Sequence, residues 1–259
     1  MLLGASAYPG HVSALRLLVI EPDVSDPPGQ LGLWLREAGA ELDVRNPATD
    51  ELPESVDGYA GLVCLGGGMG VHDVSEYPWL LALQRLLARA TSAEVPTLAV
   101  CLGSQLLAAA NGGTVRVAEV PEVGPGLVSK RDAAWQDPLL AEVPLLPDVL
   151  QFHGDTIETL PARADLLLSG TDSPHQAFRI SRCAYGFQFH IETTPQTVLE
   201  WVAQSPDMAA WARPGAFEQD TLTQLHRDIE QVWHPVVTNF VRLAQGEIEP
   251  AGVRGPALW

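Results

Sequence analysis

The chain has 259 residues, 46% hydrophobic and 18% charged, enough for a large core and compatible with one or two domains. Fifteen basic against 32 acidic side chains give a formal net charge of −17. Such a surface repels phosphate backbones and excludes nucleic acid as the expected partner.

The N-terminal stretch shows no basic segment followed by an apolar run and a small-residue cleavage site. No apolar run reaches the ~18 residues of a membrane span. Three cysteines, Cys64, Cys101 and Cys183, lack CxxC spacing. They argue against a disulfide framework and a zinc site, and suit a reducing compartment. The expected location is the cytoplasm, with no membrane partner.

In chain order, residues 1–13 lack periodicity and read as a loose arm. Leu15 to Ile20 reads as a buried strand, and Glu21 to Gly29 as a Pro-containing loop. Gln30 to Ala38 reads as a helix stopped by Gly39. Leu42 to Arg45 and Tyr59 to Leu65 follow as strands. Continuous apolar strands alternating with helices predict a mainly parallel sheet covered on both faces. The third strand ends in Gly66-Gly67-Gly68-Met69-Gly70, which lets backbone N–H groups approach a ligand at the carboxyl end of the sheet. A phosphate loop is the rival reading. It requires GxxxxGK[ST] or GxGxxG opening a helix. No Lys follows here and Val71 to Glu76 intervenes, so an oxyanion-binding loop is preferred. His72 and Asp73 have no partner cluster in sequence and read as loop residues rather than metal ligands.

A helix from about Tyr77 to Ala90 leads to Val95–Ala110. That stretch joins a short apolar run, opened by Pro96, to an Ala/Leu-rich helical run. Cys101 stands at the junction, with Ala99 two residues before it and Gly103 two after. A nucleophile on a sharp strand-to-helix turn requires small residues at those positions. The turn also aims a helix N-terminus at the sulfur, which favours thiolate. A buried structural cysteine is the rival reading. Asn111-Gly112-Gly113 ends the helix. Thr114 to Ala118 and Val123 to Val128 read as two strands, and residues 131–148 as loop and short helix. Short strands follow at Val149–Asp155, Leu166–Ser169, Gln176–Ile180 and Tyr185–Phe189. Helices are expected over Pro195–Ala203 and Phe217–Ala244, the second an amphipathic segment packing on the sheet's flank. Trp201, Trp211 and Trp233 are read as packing groups.

A cysteine nucleophile needs a base, and the base an orienting acceptor. Of seven histidines, His190 has a carboxylate two residues on. Residues two apart in a strand share a face, so Glu192 lies beside the His190 ring and fixes the tautomer that leaves the other nitrogen free. Ile191 points oppositely, into the core. His153, at the end of its strand, is a second candidate base.

These stretches together resemble the class I, triad-type glutamine amidotransferases, in particular the stand-alone GMP-synthase-like branch. The matching segments are Leu-Gly-Gly-Gly-Met-Gly (65–70), Glu-Tyr-Pro-Trp-Leu (76–80), Cys-Leu-Gly-Ser-Gln-Leu-Leu-Ala (101–108), Gln-Phe-His-Gly-Asp (151–155), Gln-Ala-Phe (176–178) and Gly-Phe-Gln-Phe-His-Ile-Glu (186–192). The resemblance implies an α/β, flavodoxin-like single domain with a mixed, mainly parallel sheet flanked by helices. Its core would span about residues 14–204, with a helical extension over about 205–245. It implies Cys101 as the nucleophile forming a γ-glutamyl thioester, His190 as base and Glu192 as its orienter. The backbone N–H groups of Gly67 and Leu102 match the oxyanion donors, a role worth ~3–4 kcal/mol of barrier. Gln105 matches a side chain binding the substrate's amino-acid end. Met69, Phe152, Gly154 and Asp155 match positions around the same substrate. His153 then falls in the substrate-binding turn and is not the base.

Four positions depart from the family pattern. Ala99 replaces a Gly and is still small, and Ser104 stands where His is common. Ile191 replaces the Pro of His-Pro-Glu and Gly68 the Pro of Gly-Gly-Pro, two changes expected to loosen the local backbone. None removes a group the chemistry needs. The resemblance implies hydrolysis of glutamine to glutamate and ammonia, with no cofactor and no metal. The length leaves no room for a synthetase domain, so a separate synthetase or acceptor subunit is the expected partner. Hydrolysis of γ-glutamyl peptides or amines by the same triad, and a non-catalytic binding or regulatory role, are the alternatives.

Overall fold

A computed structural model describes residues 15–252; the arm expected over residues 1–13 lies outside them. Four strands open the chain: β1 (Leu15–Ile20), β2 (Ala40–Arg45), β3 (Gly61–Cys64) and β4 (Thr97–Val100). Every residue of β3 and β4 is buried, because helices cover both faces of the sheet. Between them run α1 (Gly29–Glu37), ended by Gly39 at φ 97°, and α2 (Trp79–Ser92). After β4 come α3 (Leu102–Ala110), β5 (Thr114–Leu127), β6 (Ser129–Lys130), a 3-10 turn, and β7 (Asp148–Thr159). The chain continues through β8 (Ala164–Ser169), β9 (Ala177–Ile180), β10 (Ala184–Phe187), α4 (Pro195–Gln204), α5 (Pro206–Ala209) and α6 (Gln219–Ala244).

The main sheet has the order β2-β1-β3-β4-β10-β9-β8-β6. The first five strands are mutually parallel, and β9, β8 and β6 continue antiparallel. This is the mixed, mainly parallel α/β architecture the sequence implies. The chain leaves β1 to one side for β2 and to the other for β3, so a crevice opens at the carboxyl ends of β1, β3 and β4, where open sheets bind ligands.

Side-chain alternation along β1 builds two cores. Leu17 and Val19 join Trp34, Phe187, Phe189, Trp233 and Phe240 on the face covered by α1 and α6. Leu18 and Ile20 join Leu62, Leu83, Leu87, Ala99 and Leu106 on the face covered by α2 and α3. In α6 the buried positions Leu222, Leu225, Ile229, Trp233, Val236 and Phe240 recur at helical spacing, so this helix packs one stripe against the sheet flank. No helix among the described residues is long and apolar enough to cross a membrane.

The expectation of two strands at Thr114–Ala118 and Val123–Val128 needs correction. One long strand, β5, runs through both and pairs antiparallel with β7 in a separate two-stranded ribbon. The register breaks between Val117 and Glu122. Pro121 cannot donate to the ladder, and the irregularity absorbs it without ending the strand. This ribbon carries Phe152 to Asp155 to the mouth of the crevice.

Candidate active site

The turn from β4 into α3 places Cys101 at φ 48°, ψ −112°. A non-glycine residue in that region stores on the order of 1–3 kcal/mol, held only where the surroundings over-determine it. They do so here. The Cys101 N–H donates to the Phe187 carbonyl at 2.8 Å, and its carbonyl accepts from the Gln105 N–H at 3.1 Å and the Ser104 hydroxyl at 2.8 Å. A Cβ on Gly103 would lie 2.3 Å from the Cys64 carbonyl oxygen, so only glycine fits two residues after the cysteine. Ala99, fully buried, is the small residue two before it. The N-terminus of α3 thus points at the sulfur.

Beyond β10, the His190 N–H donates to the Leu150 carbonyl at 2.9 Å, which fixes where its ring enters the crevice. Nδ1 of that ring contacts Glu192 Oε1 directly. Glu192 Oε2 accepts from the Ile191 N–H at 2.8 Å. Burial disfavours a charged ring, but the Glu192 carboxylate and the Cys101 sulfur override it and hold His190 well above the usual histidine range. Burial likewise opposes charge on Glu192, yet His190 keeps that carboxyl below its ordinary value. The other ring nitrogen, Nε2, is buried and makes no hydrogen bond among the described residues. It is the nitrogen left for a reacting group. Cys101 and His190 line one cleft of about 660 Å³.

Gly67 and Leu102 line the same cleft. No hydrogen bond among the described residues engages either backbone N–H, so both are available to an oxyanion. A Cβ on Gly67 would meet Met69 Sδ at 2.7 Å and Leu102 Cδ2 at 3.3 Å, which shows how closely the glycine loop abuts the start of α3. Met69, Gln105, Phe152, Gly154 and Asp155 also border the cleft. Gln105 Nε2 donates to the Asp155 carbonyl and to Gln188 Oε1, each at 3.3 Å. His153 is fully engaged elsewhere. Its Nδ1 pairs with the Asp155 carbonyl at 2.8 Å, and its Nε2 faces Gln151 Oε1 at 3.0 Å and Glu122 at 3.2 Å. His72 pairs with the Val115 carbonyl, and Asp73 accepts from the Gly70 N–H.

The family model for class I glutamine amidotransferases matches residues 34–203. The chain belongs to this family. It is 28% identical over 188 residues to the glutamine amidotransferase-like protein YfeJ of Salmonella typhimurium, covering 71% of this chain and 78% of that one. A GMP synthase of Porphyromonas gingivalis is 30% identical over 144 residues, which cover 55% of this amidotransferase but only 27% of the synthase. The chain thus spans about a quarter of that curated relative's length. The crystal structure of a glutamine amidotransferase from Thermotoga maritima superposes with TM-score 0.77 at 27% identity, over 89% of this chain and 98% of the other.

Three features of this amidotransferase's site escaped the sequence reading. The β1–α1 loop contributes Asp23 and Asp26 to the cleft. Its carboxylates at the ligand-binding end of a parallel sheet were the available signal. Trp201, read as packing, lies in a T-shaped contact with the His190 ring, ring centroids 4.8 Å apart, and donates from its indole N–H to the Ser25 carbonyl at 2.6 Å. Trp233 is core and Trp211 exposed. The expected loosening at Gly68 and Ile191 also needs correction. The Gly68 N–H donates to Asp23 Oδ2 at 3.2 Å and the Ile191 N–H to Glu192. Each departure from proline supplies a donor that proline lacks.

Proposed function

We propose that this amidotransferase hydrolyses the γ-amide of glutamine through a thioester on Cys101, releasing glutamate and ammonia, the latter for a separate synthetase or acceptor subunit in the cytoplasm. Residues 14–204 would be the catalytic core of a single domain and residues 205–245 its helical extension. His190 Nε2 takes the Cys101 proton, and the sulfur attacks the amide carbon. The Gly67 and Leu102 N–H groups hold the resulting oxyanion, where such donors act most strongly. The imidazolium, held by Glu192, gives its proton to the departing ammonia. A water deprotonated by His190 then attacks the thioester and restores the thiol. The observation that carries this reading is the strained Cys101 sharing a cleft with a buried imidazole whose Nδ1 is tied to Glu192 and whose Nε2 is unspent. The test is ammonia release from glutamine by wild type beside Cys101→Ala, with and without cell extract. Activity in the wild type only is expected, and activity that requires extract identifies a missing subunit. Equal release by both proteins overturns the reading.

One observation favours a second substrate class. Asp23, Asp73 and Asp155 line the cleft, and no lysine or arginine does among the described residues. Burial and Asp73 push the Asp155 carboxyl above its ordinary range. A cationic leaving group, as in a γ-glutamyl amine, suits such a wall. Faster turnover of a γ-glutamyl diamine than of glutamine would select this reading.

A further inference from the structure

We propose that Asp26 is a positioning residue of this same site: as a neutral carboxylic acid it donates a hydrogen bond to the Glu192 carboxylate and holds that carboxylate against the His190 ring. The proposal rests on the reading of His190 as the base, and it explains an otherwise costly arrangement. Both Asp26 oxygens are buried, and neither accepts a hydrogen bond among the described residues. An ionised carboxylate in that position would be unpaired in a dry site, one of the most expensive groups a fold can bury. One oxygen or nitrogen each from Asp26, His190 and Glu192 lie within 4.8 Å of one another. A proton on Asp26 turns two facing carboxyls into a donor and an acceptor, as close carboxyl pairs sharing one proton do. The direct His190–Glu192 contact leaves no space for a metal ion between those two groups.

The fold holds Asp26 there from several sides. The Gln30 N–H donates to the Glu192 carbonyl at 2.7 Å, and Trp201 ties the neighbouring Ser25. A Cβ on Gly66 would lie 2.2 Å from Asp26 Oδ2, and one on Gly29 would lie 2.2 Å from the Glu192 carbonyl oxygen. Gly66 therefore makes the room this carboxyl occupies, and Gly29 lets the start of α1 close on the Glu192 backbone. The titratable groups facing Asp26 are Glu192, His190, Asp23 and Cys64. Burial comes first and Glu192 second in pushing the Asp26 carboxyl far above its ordinary range. His190 opposes the shift without cancelling it.

The sign of the proton linkage follows. With rising pH the unfolded chain releases the Asp26 proton near the ordinary carboxyl value, while the folded chain keeps it. Stability is therefore lost as pH rises. From pH 5 to 7 the wild-type unfolding constant should climb about tenfold per pH unit more steeply than that of Asp26→Asn.

The experiment compares wild type, Asp26→Asn and Asp26→Leu. It reads urea unfolding at pH 5, 6 and 7, the rate of Cys101 alkylation by iodoacetamide at pH 6, and glutamine turnover. Asp26→Asn keeps a donor and should hold alkylation rate and kcat within about threefold of wild type. Asp26→Leu loses the donor and should lower both about 10- to 100-fold, the size of effect outer-shell partners carry, with KM nearly unchanged. Parallel unfolding slopes for wild type and Asp26→Asn would overturn the proposal, as would equal damage from both substitutions. The unfolding slopes and the alkylation rates need no turnover. A chain inactive on glutamine that shows this pattern retains the Asp26 role and loses the glutaminase reading.

Discussion

Adding one methyl group at Gly103 tests whether the elbow is sterically closed. The Gly103→Ala Cβ would lie 2.3 Å from the Cys64 carbonyl oxygen and 2.9 Å from both the Cys64 carbonyl carbon and the Leu65 oxygen. All three are backbone atoms of β3 and the residue after it, so no side chain can swing aside. Restoring ordinary contact requires the start of α3 to move by roughly 1 Å, and a displacement of that size at a reacting group costs about 100-fold in rate. Overpacking of this kind also costs about 1–3 kcal/mol of stability, a few degrees of Tm per kcal/mol in a chain of this size. The assay is kcat for glutamine hydrolysis together with the alkylation rate of Cys101, both corrected for the folded fraction at 25 °C. A Gly103→Ala protein within threefold of wild type in both measurements refutes the claim that the backbone of β3 defines the position of Cys101.

Other expectations follow from the same geometry. Limited iodoacetamide at neutral pH should label Cys101 alone among the three cysteines by peptide mass mapping. Burial pushes the Cys183 thiol up to about 11 and the Cys64 thiol higher still. His153→Gln should raise KM a few-fold through the Phe152–Asp155 segment of β7 and leave the pH profile of kcat intact, whereas His190→Gln should abolish turnover; steady-state kinetics across pH separate the two. Asp137→Ala strips the buried Arg179 guanidinium of a partner at 2.9 Å while Asp165, also at 2.9 Å, remains. It should cost about 3 kcal/mol in urea unfolding, near the lower end for breaking a buried pair, without changing kcat per folded molecule.

The central elements were legible because their causes are local. Leu17–Ile20 is an unbroken apolar run followed by Pro-containing loop signals, and Gly39 stops α1 as its positive φ requires. Ala99, Cys101 and Gly103 announce an elbow from three side-chain sizes. The long β5 was not legible. Pro121, Gly124 and Pro125 punctuate it like a turn, and only pairing with β7, from Asp148 onward, overrides that local signal. Asp26 was invisible for the same reason. In sequence it is one of several acids in a Pro-rich loop, and its significance arises from Gly66 and Glu192, which the chain brings to it from two other strand ends.

The two lost prolines show how such a site tolerates departure from its family pattern. A proline before Glu192 would stiffen the backbone but could offer nothing to the carboxylate. Ile191 instead buries its side chain in the core and gives its N–H to Glu192 Oε2. The stiffness surrendered in the chain is replaced by a charge-assisted hydrogen bond, of the class worth about 1.5–3 kcal/mol. Gly68 makes the parallel exchange with Asp23 in the glycine-rich loop. Burial and the Ser25 and Gly68 donors act on Asp23 in opposite directions, and its carboxyl ends below its ordinary range. On both sides of Cys101, then, a carboxylate reached through an N–H takes over the orienting work of a ring. Asp23 itself lies in the β1–α1 loop, the segment that also carries Asp26 to the Glu192 side of the cleft.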